Sequence, residues 1–142
     1  MKVIDYLNRA YHLDQQIACK LEQVSRLRSL TQKVTASYGD GSSSHAHNNS
    51  SMEDAIVRLV DAEDELAAQV IELVDVRMEI AKLIDRVPDA LYKLVLEKRY
   101  LCFMTWERIA ADMNWTYRWT LSVHGKALRE VEKLLEADEA GK

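Results

Sequence analysis

Two long segments of the chain repeat apolar residues at steps of three and four, and this periodicity constrains the fold more than any other feature. The first segment begins at Val3 and the second at Ile56. Steps of three and four place side chains on one face of an α-helix. We therefore expect two long amphipathic helices, over residues 2–37 and 52–86.

The segment between them, residues 38–51, breaks the pattern. It is rich in Gly, Ser, Asn and His, a composition typical of a flexible loop. Two helices joined by one loop are expected to fold back on each other, and their charges are complementary: net +3 over residues 1–37 and −7 over residues 52–85. The sequence predicts a long antiparallel helical hairpin, coiled-coil-like, over residues 1–87.

The second helix carries a wider apolar face than a two-helix hairpin can bury. We expect a second copy to cover it in a homodimer, or alternatively the C-terminal domain to do so. Glu63 and Arg77 lie within this face, where polar residues commonly set register or partner number. The predicted oligomerisation seam consists of Ile56, Leu59, Glu63, Leu66, Val70, Leu73, Arg77 and Ile80.

Helix-capping signals divide the rest of the chain into shorter helices. Pro88 suits the first turn of a helix, and Thr105 and Thr116 each carry a hydroxyl that can cap a helix N-terminus. Asn114 tolerates the left-handed conformation common at helix ends. The sequence predicts an all-α fold that ends in a helix-turn-helix domain over residues 88–136, with helices over about 88–101, 105–113 and 117–136, and a disordered tail over residues 137–142.

Charge is unevenly distributed along the chain. Residues 86–133 carry nine Lys and Arg against six acids, a net of +3. A basic C-terminal third beside an acidic middle favours contact with a polyanion at one end of the protein, although ordinary solvated helix faces would give the same balance.

The sequence offers no motif for catalysis. It lacks a Gly-rich phosphate loop, a nucleophile elbow and a metal-binding spacing, so we expect no enzyme activity, no cofactor and no metal. Cys19 and Cys102 have no further ligands nearby and are expected to be buried thiols. No apolar run reaches the length of a membrane span, and Asp5 and Arg9 lie where a signal peptide would be apolar. We expect a cytoplasmic protein without a membrane partner.

Several of these residues also carry a family resemblance. The run Thr105-Trp-Glu-Arg-Ile-Ala-Ala-Asp-Met-Asn, preceded by Arg99-Tyr-Leu and followed by Thr116 and Ala127-Leu128, resembles sigma-70 region 4. The long hairpin, the Gly/Ser loop and the runs MEDAIVRLVDAEDEL and WTYRWTLSVHGKAL resemble a phage and prophage family of unknown function related to late-gene transcription regulators of the ArpU and RinA type. The resemblance implies a regulator in the cytoplasm of a bacterial host cell that binds specific sites on double-stranded DNA.

The resemblance also implies which residues contact DNA. Base contacts come from the residues that follow the cap of the last helix, and an arginine there can bond guanine bidentately. Phosphate contacts come from the start of the preceding helix and from nearby basic residues. The base-reading residues are Tyr117, Arg118, Trp119, Leu121 and Ser122, and the phosphate candidates are Thr105, Trp106, Arg99, Arg108, Lys126 and Arg129.

Three residues depart from the sigma-like pattern: Arg108 replaces an acid, Asn114 a turn glycine and Thr120 a core aliphatic. His124 is expected to form a structural hydrogen bond across the domain. Two other functions fit the same fold. Region 4-like domains also contact RNA polymerase, so the module could bind that protein, and small terminase subunits of phages also combine a helix-turn-helix with long helices.

Overall fold

The protein is all-helical throughout the part of the chain that the structure describes, which confirms the predicted fold class. A computed structural model describes the backbone of residues 1–38 and 45–141, and the side chains of residues 1–33 and 50–141. The helices are α1 (Val3–Leu7), α2 (Arg9–Tyr38), α3 (His45–Asp85), α4 (Ala90–Tyr100), α5 (Trp106–Met113) and α6 (Tyr117–Ala140).

Some predicted helix boundaries are corrected. The first long helix is interrupted at Asn8, where the Nε of Arg9 donates a hydrogen bond to the carbonyl of Tyr6. Residues 45–51, predicted as loop, are helical, because each residue added to an existing helix gains a backbone hydrogen bond. Of the predicted loop, residues 39–44 lie outside the described residues.

The two ends of the C-terminal domain also differ from the prediction. Pro88 lies before α4 rather than in its first turn, because Asp89 is the N-cap and its carboxylate accepts hydrogen bonds from two backbone N–H groups. Residues 137–140, predicted as disordered tail, continue α6. Arg86 forms two 2.9 Å hydrogen bonds with the carboxylate of Asp138, which holds this last turn.

The chain divides into two compact units. Unit 1 comprises Met1–Leu13 and Leu73–Lys142, so the predicted boundary between residues 87 and 88 falls inside it. The reason is a shared core, in which apolar side chains from the end of α3 are buried with side chains from α1, α2, α4 and α6. The buried members are Leu7, Ala10, Val76, Ile80, Leu83, Ile84, Val87, Leu96, Tyr100, Ala127 and Val131.

Unit 2 comprises Asp14–Glu72, parts of α2 and α3. These parts run antiparallel, since Lys20 pairs with Glu65 at 2.6 Å while Arg28, later in α2, pairs with Glu63, earlier in α3, at 2.9 Å. Such exposed pairs contribute at most about 1 kcal/mol each. Burial of apolar side chains between the two helices therefore provides most of the stability of this hairpin.

The residues of the predicted oligomerisation seam differ in their burial and in their contacts. Ile80 is fully buried in the core of unit 1, and Leu73 packs against that core. Arg77 is hydrogen-bonded in unit 1, and Glu63 is paired in unit 2. Leu59 and Leu66 are half-buried, whereas Ile56 and Val70 are exposed.

The cysteines also differ from the expectation. Cys19 and Cys102 are free and exposed rather than buried. Each lies on the solvent side of a helix or turn whose opposite side supplies the packing residues, so neither thiol is needed in a core.

Candidate nucleic-acid interface

Helix α5 is the first helix of the predicted helix-turn-helix. Its N-cap is Thr105, whose Oγ1 accepts a hydrogen bond from the backbone N–H of Arg108 at 3.2 Å. Ile109 and Ala110 are buried. Glu107 lies in the first turn, where the positive end of the helix dipole stabilises its negative charge. The predicted cap is confirmed, and one face of α5 is fixed against the rest of unit 1.

A tight turn joins α5 to α6. Asn114 has φ 56° and ψ 39°, the left-handed conformation, and the N–H of Trp115 bonds the carbonyl of Ala110 at 2.9 Å. Thr116 then caps α6 by accepting a hydrogen bond from the N–H of Trp119 at 3.0 Å. Asn114 can take the place of a turn glycine because asparagine tolerates this conformation better than most residues.

Substitution of Asn114 tests this turn. Asn114→Val is expected to lower the free energy of unfolding by about 1–2 kcal/mol, because a β-branched side chain is strained at positive φ. Asn114→Gly is expected to leave it unchanged or to raise it by up to about 1 kcal/mol. Urea denaturation of the two variants measures the difference, and equal stability of valine and glycine at this position would contradict the turn geometry.

The inner face of α6 is buried in unit 1. Thr120, Val123, His124, Ala127 and Val131 are its buried side chains. Thr120 occupies a position where the sigma-like pattern has an aliphatic residue. Its Oγ1 donates a hydrogen bond to the carbonyl of Thr116 at 2.9 Å, so the buried hydroxyl is satisfied and carries little penalty.

The N-terminal end of α6 presents the opposite face to solvent. Tyr117 and Trp119 are each 47% exposed and Leu121 is 38% exposed, although all three are large and apolar or aromatic. Arg118 and Ser122 are exposed as well. The five predicted base-reading residues are therefore all accessible on the first two turns of one helix.

Two predicted phosphate contacts prove to have structural roles. The Nη1 of Arg99 donates a hydrogen bond to the carbonyl of Met104 at 2.9 Å, and the guanidinium lies 4.5 Å from the centre of the Trp106 ring. The Trp106 ring lies 4.3 Å from the ring of His124. Arg99 and Trp106 thus connect α4, the following turn, α5 and α6, and neither is a freely exposed side chain.

His124 and Tyr100 form a buried pair beneath α6. The Tyr100 hydroxyl and the His124 Nε2 lie 2.6 Å apart, so the expected hydrogen bond across the domain is present. Burial, together with the charge of Arg99, lowers the pKa of His124 to about 4. Burial raises the pKa of Tyr100 to about 12. Both side chains are therefore neutral at pH 7, and α6 packs on the rest of unit 1 through an uncharged hydrogen bond.

The remaining phosphate candidates lie in different places. Thr105 is exposed and Arg108 is exposed on α5, while Lys126 is on α6 with its Nζ 5.1 Å from the Trp119 ring centre. Arg129 lines an open groove of about 1050 Å³ that Met1 and the acidic side chains near the end of α6 also line. Lys126 thus lies beside one of the predicted base-reading residues, whereas Arg129 lines a separate groove.

No sequence pattern indicated the contacts that hold the turn before α5. Phe103 has φ 57°, and its ring packs edge-on against Tyr11 with 5.7 Å between centres. Arg77 donates a 2.7 Å hydrogen bond from Nη1 to the carbonyl of Leu101, and its guanidinium lies 5.5 Å from the Phe103 ring centre. No periodic pattern indicates this contact, since Arg77 lies on α3, far away in sequence.

Within residues 1–38 and 45–141, no group of three or more His, Cys, Asp or Glu side chains is placed to hold a metal ion. Over the same residues, no helix is both long and apolar enough to cross a membrane.

Comparison with known proteins places the chain in a family. The family model described as a protein of unknown function (DUF1492) matches residues 42–132, which include all of α3, α4 and α5 and the part of α6 up to Glu132. No match is found among curated proteins or among solved structures. Because the matched segment is more than half of the sequence, the chain belongs to the DUF1492 family.

Proposed function

We propose that the protein is a phage or prophage transcription regulator that binds specific sites on double-stranded DNA through α5, the turn at Asn114 and α6. One observation carries the proposal. The first two turns of α6 are anchored on one side by buried side chains, and they present five accessible side chains on the other. This is the arrangement by which a recognition helix enters the major groove.

The accessible side chains have the chemistry that base readout needs. Arg118 carries a guanidinium that can donate two parallel hydrogen bonds to guanine, and Ser122 can donate to or accept from a base edge. Leu121 is apolar and exposed, which suits contact with a thymine methyl group. Tyr117 and Trp119 then pack against the sugar-phosphate backbone or flank the contacted bases.

Phosphate contacts supply affinity in this proposal. Thr105 and the free N–H groups at the start of α5 lie at a positive helix end, which favours a phosphate. Arg108 in the first turn of α5 and Lys126 beside Trp119 on α6 add positive charge. Binding is then expected to weaken as salt rises, because each neutralised phosphate releases a counterion.

The remaining expectations form part of the same proposal. The protein acts in the cytoplasm of a bacterial host cell as a homodimer, so its site on DNA has two related halves. It requires no cofactor and performs no catalysis. The support for a phage origin is the sequence resemblance described above.

One observation favours a second candidate. Tyr117, Trp119 and Leu121 form an exposed apolar group at the tip of α6, and a protein partner such as RNA polymerase would bury such a group as readily as DNA would. The third candidate function is phage assembly, in the manner of a small terminase subunit, and it predicts a ring of many subunits.

The proposal predicts that Arg118→Ala weakens binding to the preferred DNA site by about 1–3 kcal/mol, because a bidentate base contact is lost. The preferred duplex is first selected from a pool of random-sequence duplexes, and fluorescence anisotropy then measures affinity at low and moderate salt. Loss of preference for the selected duplex over random DNA is expected as well.

Arg58→Ala is the matched control. Arg58 is exposed on α3 in unit 2, and its removal is expected to leave DNA affinity unchanged. Failure of the folded wild-type protein to bind any duplex at low salt would contradict the proposal and favour the polymerase-binding candidate.

A further inference from the structure

Unit 1 has an open groove of about 1050 Å³ that the proposed DNA contacts do not explain. It is lined by the N-terminal residues through α1, by Glu79 of α3 and by the C-terminal half of α6, and we call it the α1–α6 groove. All of these residues belong to unit 1. The lining residues, which lie within the described part of the chain, include none of the five proposed base-reading residues.

The α1–α6 groove has apolar walls. Val3 on α1 and Leu128 and Leu135 on α6 are partly buried and pack against the core of unit 1. Ile4 is 41% exposed, and Met1 is exposed as well. A partner that covered these side chains would gain stability from their burial. Concave apolar surfaces of this kind are typical of binding sites.

The charge of the groove indicates a cationic occupant. The lining side chains include five acids and two bases, a net of −3. Two of the acids, Glu79 and Asp138, already pair with arginines outside the lining. The other three are exposed, and within the part of the chain that the structure describes they have no ion-pair partner. These three acids are Glu132, Glu136 and Glu139.

The same acids are unfavourable for α6 itself. Glu136, Asp138 and Glu139 lie near its C-terminal end, where the backbone carbonyls form the negative end of the helix dipole. Among its described residues, the last turn carries no basic side chain, and only Asp138 is offset, by Arg86. The folding of unit 1 therefore does not explain the two glutamates. An arriving cation would be attracted by their carboxylates and by the helix end together.

We propose that the α1–α6 groove binds a short helix of a partner protein that carries apolar side chains on one face and Lys or Arg beside them. The spacing along α6 supports a helical occupant. Leu128, Glu132, Leu135 and Glu139 follow one another at steps of four, three and four, so apolar and acidic groups alternate along one face over about 16 Å. A helix lying along α6 presents its own apolar and basic groups at the same spacing.

Other occupants satisfy fewer of these features. Duplex DNA would bring phosphates against the glutamates, which would repel them. A free polyamine would pair with the carboxylates but would leave the apolar walls in water. The groove is also independent of the proposed DNA contacts, which lie at the N-terminal end of α6 and on α5. Failure of one proposal therefore leaves the other unaffected.

A designed peptide tests the chemistry of the groove. The probe is a fluorescein-labelled peptide of about 14 residues, in which leucines form one helical face and lysines the rest. Fluorescence anisotropy with the full chain is expected to show saturable binding. A peptide with glutamate at each lysine position is expected not to bind, and one with serine at each leucine position is expected to bind at least about tenfold more weakly. Absence of binding by the leucine-lysine peptide would overturn the proposal.

Charge reversal locates the binding. The double variant Glu132→Lys, Glu136→Lys is expected to weaken peptide binding at least about tenfold, because two attractions become repulsions. It is expected to remain folded, since lysine suits the C-terminal end of a helix. The matched control is Glu53→Lys, Asp75→Lys, which changes two exposed acids of α3 and raises the net charge by the same amount. Equal loss of binding in both double variants would show a general attraction of opposite charges and would overturn the site.

The apolar walls and the identity of the occupant are tested separately. Ile4→Ser is expected to weaken peptide binding about threefold or more. Its control is Leu91→Ser, because Leu91 is 52% exposed on α4 of the same unit and does not line the groove. Light scattering gives the mass of each charge-reversed variant. A lower mass than the wild type for Glu132→Lys, Glu136→Lys alone would show that a second copy covers the groove, which would overturn binding of a separate partner.

Discussion

Ile80→Ala is expected to lower the free energy of unfolding of unit 1 by about 2–5 kcal/mol. Ile80 is fully buried, in a core that also contains Leu7, Ile84 and Leu96. Removing its side chain beyond Cβ loses the burial of three carbon atoms and leaves a cavity that the surrounding helices cannot close completely. Urea denaturation followed by circular dichroism and by tryptophan fluorescence measures the loss.

Ile4→Ala is the control for this prediction. Ile4 belongs to the same unit and loses the same atoms, but it is 41% exposed, so a loss of about 1 kcal/mol or less is expected. The sequence alone assigns Ile80 to an oligomerisation seam, and that role makes a different prediction. If the destabilisation disappeared at high protein concentration, association of copies would be compensating for it. Ile80 would then belong to an interface between copies and not to the core of unit 1.

Lowering the pH from 6.5 to 4 is expected to remove up to about 3 kcal/mol of stability through His124 alone. The pKa of His124 is lowered to about 4 by burial, against an ordinary value near 6.5. Between these two values the unfolded chain binds a proton that the folded chain does not. Stability is therefore fully present above pH 6.5 and is lost as the pH falls toward 4.

The variant His124→Asn separates this effect from the titration of carboxylates. It is expected to be less stable than the wild type at pH 7, because the Tyr100 hydroxyl loses its 2.6 Å partner. The difference between the two proteins is expected to shrink as the pH falls from 6.5 to 4. His12→Asn is the control, since His12 is exposed. If the stability difference between the wild type and His124→Asn stayed constant from pH 6.5 to 4, the neutral buried pair would be contradicted.

The same pair connects stability to the proposed interface. His124 lies on the inner face of α6 and packs at a tilt against the ring of Trp106 at the start of α5. Protonation of His124 would thus loosen the contact between the two helices of the helix-turn-helix. In the proposed function, DNA affinity is expected to fall more steeply for the wild type than for His124→Asn as the pH is lowered from 5 to 4, the range in which folded His124 becomes protonated.

Local signals predicted the helix-turn-helix well. Thr105, Asn114 and Thr116 are placed as their residue types indicate, because capping and left-handed turns depend on a few adjacent backbone groups. The five residues expected to read bases are accessible for a similar reason. They follow the N-cap of α6, and the buried residues of that helix recur at steps of three and four, which leaves these five on the other side.

For other predicted site residues, the structure shows contacts that no local pattern indicated, because those contacts join separate elements of the fold. Arg99 and Trp106 look like surface residues of a DNA-binding motif, yet the Arg99 guanidinium lies over the Trp106 ring, and that ring packs at a tilt against the ring of His124. Arg77 looks like a polar residue of a helix seam, yet it bonds the carbonyl of Leu101. A planar guanidinium can serve a phosphate, a carbonyl or an aromatic ring, and only the neighbours decide which.

By itself, the amino-acid sequence determined the all-helical class, the antiparallel pairing of the long helices within unit 2 and the position of the turn between α5 and α6. Helical periodicity and capping act over a few residues, so they can be seen in sequence alone. Tertiary structure decided which apolar stripe of α3 is covered. A single helix with two apolar faces does not show which one its own chain will bury, and that choice follows from the shape and volume of the side chains that meet in the core.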